Sequence, residues 1–178
     1  MLAGEPYIAI DDELAAMNLK AQELLYRFNF SNPVEIAERE AISKKLFGAF
    51  GADSIVKPPF YCDYGAFIFV GDQVFINYDC VIIDCNLVRI GNRALLAPKV
   101  QIYTAHHPLE PEIRRTQLEM ASPVVIEDDV WIGGGAIICP GVTVGAGATV
   151  GAGSVVTKNI PPRVLAVGNP CRVIREIA

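Results

Sequence analysis

Large aliphatic residues recur at every sixth position from Val70 onward, and that period excludes most folds. They stand at Val70, Ile76 and Ile82, then at Ile90, Leu96 and Ile102, then at Ile126, Ile132, Ile138, Val144, Val150 and Val156. Two positions ahead of each is a second aliphatic or small residue, as at Ile68, Val88, Val124, Val130 and Ala148. A six-residue period fits neither the 3.6-residue turn of a helix nor the wider turn spacing of a hairpin sheet. It fits an all-β solenoid in which each hexapeptide forms one short strand and one corner, and three hexapeptides close a triangular turn of parallel β-structure. The aliphatics then stack inward as ladders, each contributing about 1.5–3 kcal/mol by burial. Glycine follows many of them, as at Gly71, Gly91, Gly133, Gly145 and Gly151, and suits a tight corner.

The period breaks twice. Ile82 and Ile90 are eight residues apart, a small bulge around Cys85 and Asn86, and Ile102 and Ile126 are twenty-four apart. Residues 103–123 therefore leave the coil as a long loop, after which the ladder resumes in phase. Loops of that length in compact domains are usually functional or disordered. This one holds both histidines of the chain, His106 and His107.

Ahead of the coil the pattern is helical. Asp11 and Asp12 are placed to cap a segment in which Leu14, Met17, Leu24, Leu25 and Phe28 form a face. A second helix is signalled by SNPVEIAEREAISKKLFGAFG, with Ser31 or Asn32 as cap, Pro33 in the first turn, Ile36, Ile42, Leu46 and Phe47 as its face, and Gly51 as its end. The expected organisation is an N-terminal helical cap over 1–57 and a coil with its protruding loop and C-terminal tail over 58–178.

Composition narrows the function classes. At 178 residues, 52% hydrophobic and 20% charged, the chain can bury a core without staples. No apolar run reaches membrane-span length, and acidic residues come too early for a signal peptide, so a cytoplasmic protein without a membrane role is expected. A net charge of −5 argues against nonspecific nucleic-acid binding. The five cysteines, Cys62, Cys80, Cys85, Cys139 and Cys171, lack Cys-x-x-Cys spacing and read as packing residues. Two adjacent histidines do not make a three-histidine metal site, so no metal is expected. The Gly-rich GAGATVGAG follows the hexapeptide period and lacks the spacing of a dinucleotide loop.

The segments YTAHHPLEP, VWIGGGAIICPGVTVGAGATVGAGSVVTKNIPP and VGNPCRVIREI, with MLAGEPY, LLYRFN and CDYG upstream, resemble the galactoside/maltose O-acetyltransferase family of hexapeptide-repeat acyltransferases. The resemblance covers nearly the whole chain. It implies a left-handed parallel β-helix, a homotrimer with active sites between subunits, and acetyl-CoA as cosubstrate for a small hydroxylated acceptor. Handedness comes from the resemblance alone, since parallel crossovers are otherwise right-handed.

The resemblance also implies roles. The histidine before proline, His107, is the general base, and imidazole, with an unperturbed pKa of about 6.5, suits proton removal from a hydroxyl near neutral pH. His106 departs from the family pattern and receives no role. Acceptor-site positions are Asp63, Asn77 and, at the eight-residue step, Asp84 or Cys85; turn chemistry alone also favours Asp and Asn at corners. Coenzyme positions are Trp131, Gly134, Ala152, Thr157, Lys158, Arg172 and Arg175. Trp131 lies between Val130 and Ile132, so its indole should point outward. Ala9 and Asn18 stand where the galactoside-type pattern has an acidic and a basic residue, which leaves the acceptor open. An acetyltransferase for amines or xenobiotics and a noncatalytic trimeric scaffold are the alternatives.

Overall fold

The computed structural model describes residues 1–178. A short strand β1 (Tyr7–Ile8) precedes two helices, α1 (Asp12–Asn29) and α2 (Ile36–Leu46). The coil then runs through β2 (Ala49–Phe50), β3 (Ile55–Val56), β4 (Phe60–Cys62), β5 (Ile68–Val70), β6 (Phe75–Ile76), β7 (Cys80–Ile83), β8 (Val88–Ile90), β9 (Leu95–Leu96) and β10 (Gln101–Tyr103). The inserted loop contains β11 (Ala105–His106), α3 (Pro111–Arg114) and β12 (Leu118–Ala121). The coil resumes as β13 (Val124–Ile126), β14 (Trp131–Ile132), β15 (Ile137–Ile138), β16 (Thr143–Val144), β17 (Thr149–Val150), β18 (Val155–Val156) and β19 (Val164–Val167), and β20 (Arg172–Glu176) closes the chain.

Coil strands one turn apart pair in parallel, which gives three faces. The first is β2-β5-β8-β13-β16, the second β3-β6-β9-β14-β17-β19 and the third β4-β7-β10-β15-β18. The fold is a left-handed parallel β-helix of about six turns. All twelve aliphatics of the six-residue period are buried, and Ile76, Ile82, Ile102, Ile132 and Ile138 are wholly inaccessible. They lie one above another because the register is kept between turns, as in Ile82 beside Ile102 and Ile102 beside Ile138.

The coil begins earlier than residue 58, where the sequence pattern places it. β2 and β3 pair in register with β5 and β6, and the aromatic trio Phe47, Phe50 and Phe60 fills most of the first turn, with Val56 stacked on Ile76 as its one large ladder aliphatic. The α2 expectations change for the same region. The helix starts at Ile36 rather than at Pro33, because residues 32–35 close a turn in which Glu35 accepts from the Asn32 amide at 2.9 Å. Ile36 is exposed, leaving Ile42, Leu46 and Phe47 to pack. Gly51 is a coil corner, not a helix end.

Corner glycines are needed for closeness between turns rather than for torsion. A Cβ on Gly91 would lie 2.6 Å from the Asp128 backbone nitrogen, and one on Gly133 2.5 Å from that of Ala152. Neither has a positive φ.

Helix α1 is the lid of the coil. Its N-cap is Asp11, whose carboxylate accepts from the Leu14 amide at 3.0 Å. Ala21, Leu25 and Phe28 bury its inner face. Asn18 and Gln22 donate to the carbonyls of Asp63 (2.9 Å) and Cys62 (3.0 Å), and Asn29 both donates to and accepts from the Phe60 backbone at 2.9 Å. The unpaired edge of β4 is thereby satisfied by side chains, which removes a template for edge-to-edge association. At the other end β20 folds back antiparallel on β19.

Replacing a ladder residue is expected to open a cavity that stacked strands cannot collapse. Ile132→Ala should lower the unfolding free energy by about 2–5 kcal/mol, whereas Thr149→Ala, on the outward side of the next strand, should change it by less than about 0.5 kcal/mol. Denaturant titration of both variants checks the difference.

Candidate active site

The departures from the six-residue period all fall on one edge of the prism, where the third face turns into the first. Cys62 to Val70 is eight residues, Ile82 to Ile90 eight, and Ile102 to Ile126 twenty-four, while Ile138 to Val144 is six again. Three successive turns therefore bulge on the same side, and the third bulge is the histidine loop.

Bulged backbone loses its ladder partners, and buried side chains replace them. Asp84 is fully buried; its Oδ1 accepts from the amides of Asp63 (3.0 Å) and Tyr64 (2.9 Å), and its Oδ2 from that of Phe67 (3.4 Å). Thr104, also inaccessible, donates to the Ile83 carbonyl at 2.7 Å and accepts from the Asn86 amide at 2.9 Å. Asn86 then reaches the loop's far end, donating to the Ala121 carbonyl at 3.0 Å.

Beside this scaffold lies a part-buried polar group. The Cys85 thiol donates to Asp63 Oδ2 at 3.4 Å, and the Tyr7 hydroxyl donates to Glu119 Oε2 at 3.0 Å. Burial pushes the Asp84 carboxyl up to about 7, against the partial relief of its amide bonds, and pushes Asp63 up from the usual carboxylate range. Burial likewise raises the Cys85 thiol and the Tyr64 phenol, each to about 12, and the Tyr7 phenol further. No cationic side chain offsets these shifts.

Residues 103–123 are ordered secondary structure rather than irregular loop. β11 pairs antiparallel with β12, His106 opposite Met120, and β12 pairs antiparallel with β1. His106 is half-buried, its Nε2 3.5 Å from the Ser122 hydroxyl. His107, the next residue, is exposed and has no hydrogen-bond partner within the chain, while Pro108 behind it is buried.

The sequence-expected residues fall on two edges. Asp63, Asp84, Cys85 and the base of the His107 loop share the bulged edge, and Thr157 and Lys158 lie further along it, after β18. Asn77, Gly134 and Ala152 sit on the neighbouring edge, where the second face turns into the third. The Gly153 amide donates to the Gly134 carbonyl there at 2.9 Å. Asn77 accepts from the Tyr78 amide at 2.8 Å. Trp131 points outward from the second face, 53% exposed and beside Leu95. Arg172 and Arg175 are exposed on β20, donating only to backbone carbonyls, and with Lys158 they have no carboxylate partner. Asn18, at the position where a basic residue was the comparison, holds the Asp63 carbonyl. No three His, Cys, Asp or Glu side chains converge to hold a metal ion. No helix is long and apolar enough to cross a membrane.

Sequence reasoning missed Tyr7, Tyr64, Glu119 and Thr104. Tyr7 and Glu119 carry no periodic signal; the recurrence of the eight-residue step at Cys62 to Val70 would have pointed to Tyr64, and the phase of the loop to Thr104.

This geometry has close counterparts. Residues 1–51 match the maltose acetyltransferase hexapeptide capping motif, and residues 123–158 match six bacterial transferase hexapeptide repeats. The galactoside O-acetyltransferase of Escherichia coli is 41% identical over 175 residues, covering 98% of this chain and 86% of that protein. The chain belongs to the galactoside/maltose O-acetyltransferase family. It is an acetyltransferase. The crystal structure of a maltose O-acetyltransferase from Clostridium difficile, a member of this family, superposes with a TM-score of 0.98 at 47% identity, covering 99% of this chain and 95% of that one. A galactoside acetyltransferase in complex with coenzyme A superposes with a TM-score of 0.97 at 40% identity, over 99% and 88% of the two chains.

Asp84 gives a pH signature. Its folded-state pKa, about 7, is raised above the ordinary 3.8, so between these values the folded protein binds more protons than the unfolded chain and stability falls as pH rises. One such group contributes a slope of up to about 1.4 kcal/mol per pH unit. Asp84→Asn, which keeps an oxygen for the Asp63 and Tyr64 amides, is expected to flatten that dependence. Denaturant midpoints of both proteins at several pH values between the two pKa values read the difference.

Proposed function

We propose that the chain moves an acetyl group from acetyl-CoA to a hydroxyl of a sugar or sugar-like acceptor by direct transfer, with His107 as general base, in a homotrimer whose active sites lie between subunits. The observation that carries the reading is His107 itself: an imidazole left exposed and unpartnered at the end of a strand whose root is fixed by Thr104 and Asn86.

The relative solved with coenzyme A supports the cosubstrate, and the residues here fit it. Gly134 and Ala152 leave their stretch of the second-to-third edge without bulky side chains, so an extended pantetheine arm can lie along it. Lys158, Arg172 and Arg175 are cations free of carboxylates, the condition for meeting phosphates. Trp131 offers an exposed indole face to an apolar or aromatic portion of the ligand.

Acetyl-CoA supplies an activated thioester. As the acceptor oxygen attacks the thioester carbonyl, neutral His107 takes its proton; when the carbon–sulfur bond breaks, the imidazolium returns a proton to the departing thiolate. The acceptor ester forms, free thiol is released and the histidine is regenerated. Asp63 and Asn77 are suited to hold acceptor hydroxyls, since a carboxylate accepts and an amide does both. Asp84 contributes indirectly, because its three amide bonds set the backbone that carries Asp63. Cys85 lies beside Asp63 as its hydrogen-bond donor. A thiol raised to about 12 is not a ready nucleophile, in agreement with direct transfer.

Two edges of one prism are a face apart, so a site needing both is best assembled between copies, which favours the trimer. His107→Ala is expected to lower kcat by about 100-fold or more, with coenzyme A still raising the melting temperature and the trimer mass retained. Thiol release across a panel of sugar hydroxyls and amines measures this and identifies the acceptor. Unchanged turnover would remove His107 from its role.

A further inference from the structure

The histidine strand is one of three. β11, which ends immediately before His107, pairs with β12, and β12 pairs with β1 at the N-terminus, Tyr7 opposite Glu119 and Ile8 opposite Leu118. The outer strand of the sheet that carries the base is therefore supplied by the seventh and eighth residues of the chain.

A side-chain bond reinforces the backbone pairing. The Tyr7 hydroxyl donates to Glu119 Oε2 at 3.0 Å, and it is the one side-chain to side-chain hydrogen bond that joins β12 to a segment outside the loop. The Cys85 thiol donates to Asp63 Oδ2 at 3.4 Å and so joins two successive bulged corners. Glu119 and Tyr7 thus link the loop to the N-terminal strand. The loop's tip has no comparable tie, since Arg114 in α3 bonds only the carbonyls of Pro108 and Leu109 within the loop.

His107 has no partner of its own to set its ring, so its placement is inherited from β11. A displacement of about 1 Å at a reacting group costs on the order of 100-fold in rate. We propose that Tyr7 is a positioning residue for acetyl transfer: through Glu119 and the β12–β11 pair, its hydroxyl holds His107 where it takes the acceptor's proton. The inference rests on His107 being the base.

The test is steady-state kinetics on the full chain. Tyr7→Phe removes only the hydroxyl and is expected to lower kcat by about ten- to hundredfold while KM for acetyl-CoA stays within about twofold. Glu119→Ala should match it, Glu119→Gln, which keeps an oxygen for Tyr7, should recover most of the rate, and the Tyr7→Phe/Glu119→Ala double variant should be no slower than either single one. Hydrogen exchange at residues 118–121 should quicken in both single variants. A Tyr7→Phe enzyme with unchanged kcat, or losses that multiply in the double variant, overturns the proposal. Should Tyr7→Phe not fold, Glu119→Ala against Glu119→Gln reads the same bond from its other end. His107→Ala measured alongside separates the outcomes: if it is inactive while Tyr7→Phe is not, only the positioning role falls; if it retains full turnover, the base assignment falls.

Discussion

Everything in this molecule hangs on the stacking of inward aliphatic side chains from one turn to the next. Each strand contributes only two to four paired residues, too few to be stable alone. Parallel pairing in constant register places each ladder residue directly over the one a turn before it, so sixteen short strands bury one continuous core. A residue added within a strand would turn every later side chain to the opposite face. The coil therefore tolerates extra residues only at its corners, and the chain places all of them on one edge.

That concentration has a cost which explains the chemistry of the edge. Backbone that leaves the ladder leaves amides and carbonyls without partners, and at a buried corner each unmet group costs about 1–3 kcal/mol. Asp84, Thr104 and Asn86 meet them in sequence, each side chain serving the bulge of a neighbouring turn. A neutral Asn in place of Asp84 would satisfy some of the same amides without desolvating a charge. Burial instead holds the Asp84 carboxyl up at about 7, with no cation among the groups around it to offset the shift.

The ladder was fully legible in the sequence because burial on one side of a short strand imposes a strict period, and nothing else in a soluble chain produces one of six. Legibility failed where another interaction replaced the aliphatics. In the first turn the six-residue step runs through Phe50, Val56 and Cys62, so Val56 is its one large aliphatic, flanked by an aromatic and a cysteine, and the pattern of large aliphatics places the coil's start too late. Pro33 looked like a helix start, yet the turn closed by Glu35 and Asn32 displaced it. The adjacent histidines differ in role in the sequence reading; neighbouring residues of an extended segment point to opposite sides, and His106 turns toward Ser122 while His107 stays free. Tyr7 was beyond sequence reading because its strand is two residues long and its partner lies 112 positions away.

The separation of the expected site residues onto two edges follows from the same geometry. The third face, between those edges, presents Tyr61, Val81, Gln101, Ile137 and Val155 outward in register. A ligand bound to both edges of one chain would have to cross that face, at right angles to the grooves that small residues such as Gly134 and Ala152 leave along the prism. Under the proposed trimer no such crossing is needed: the bulged edge of one copy, with Asp63 and His107, meets the smooth edge of the next, with Asn77, Gly134 and Ala152. The bulges then act as the wall of a site whose floor belongs to a neighbour, and the N-terminal strand, by bracing that wall through Tyr7 and Glu119, becomes part of the machinery of transfer rather than a lid at the far end of the coil.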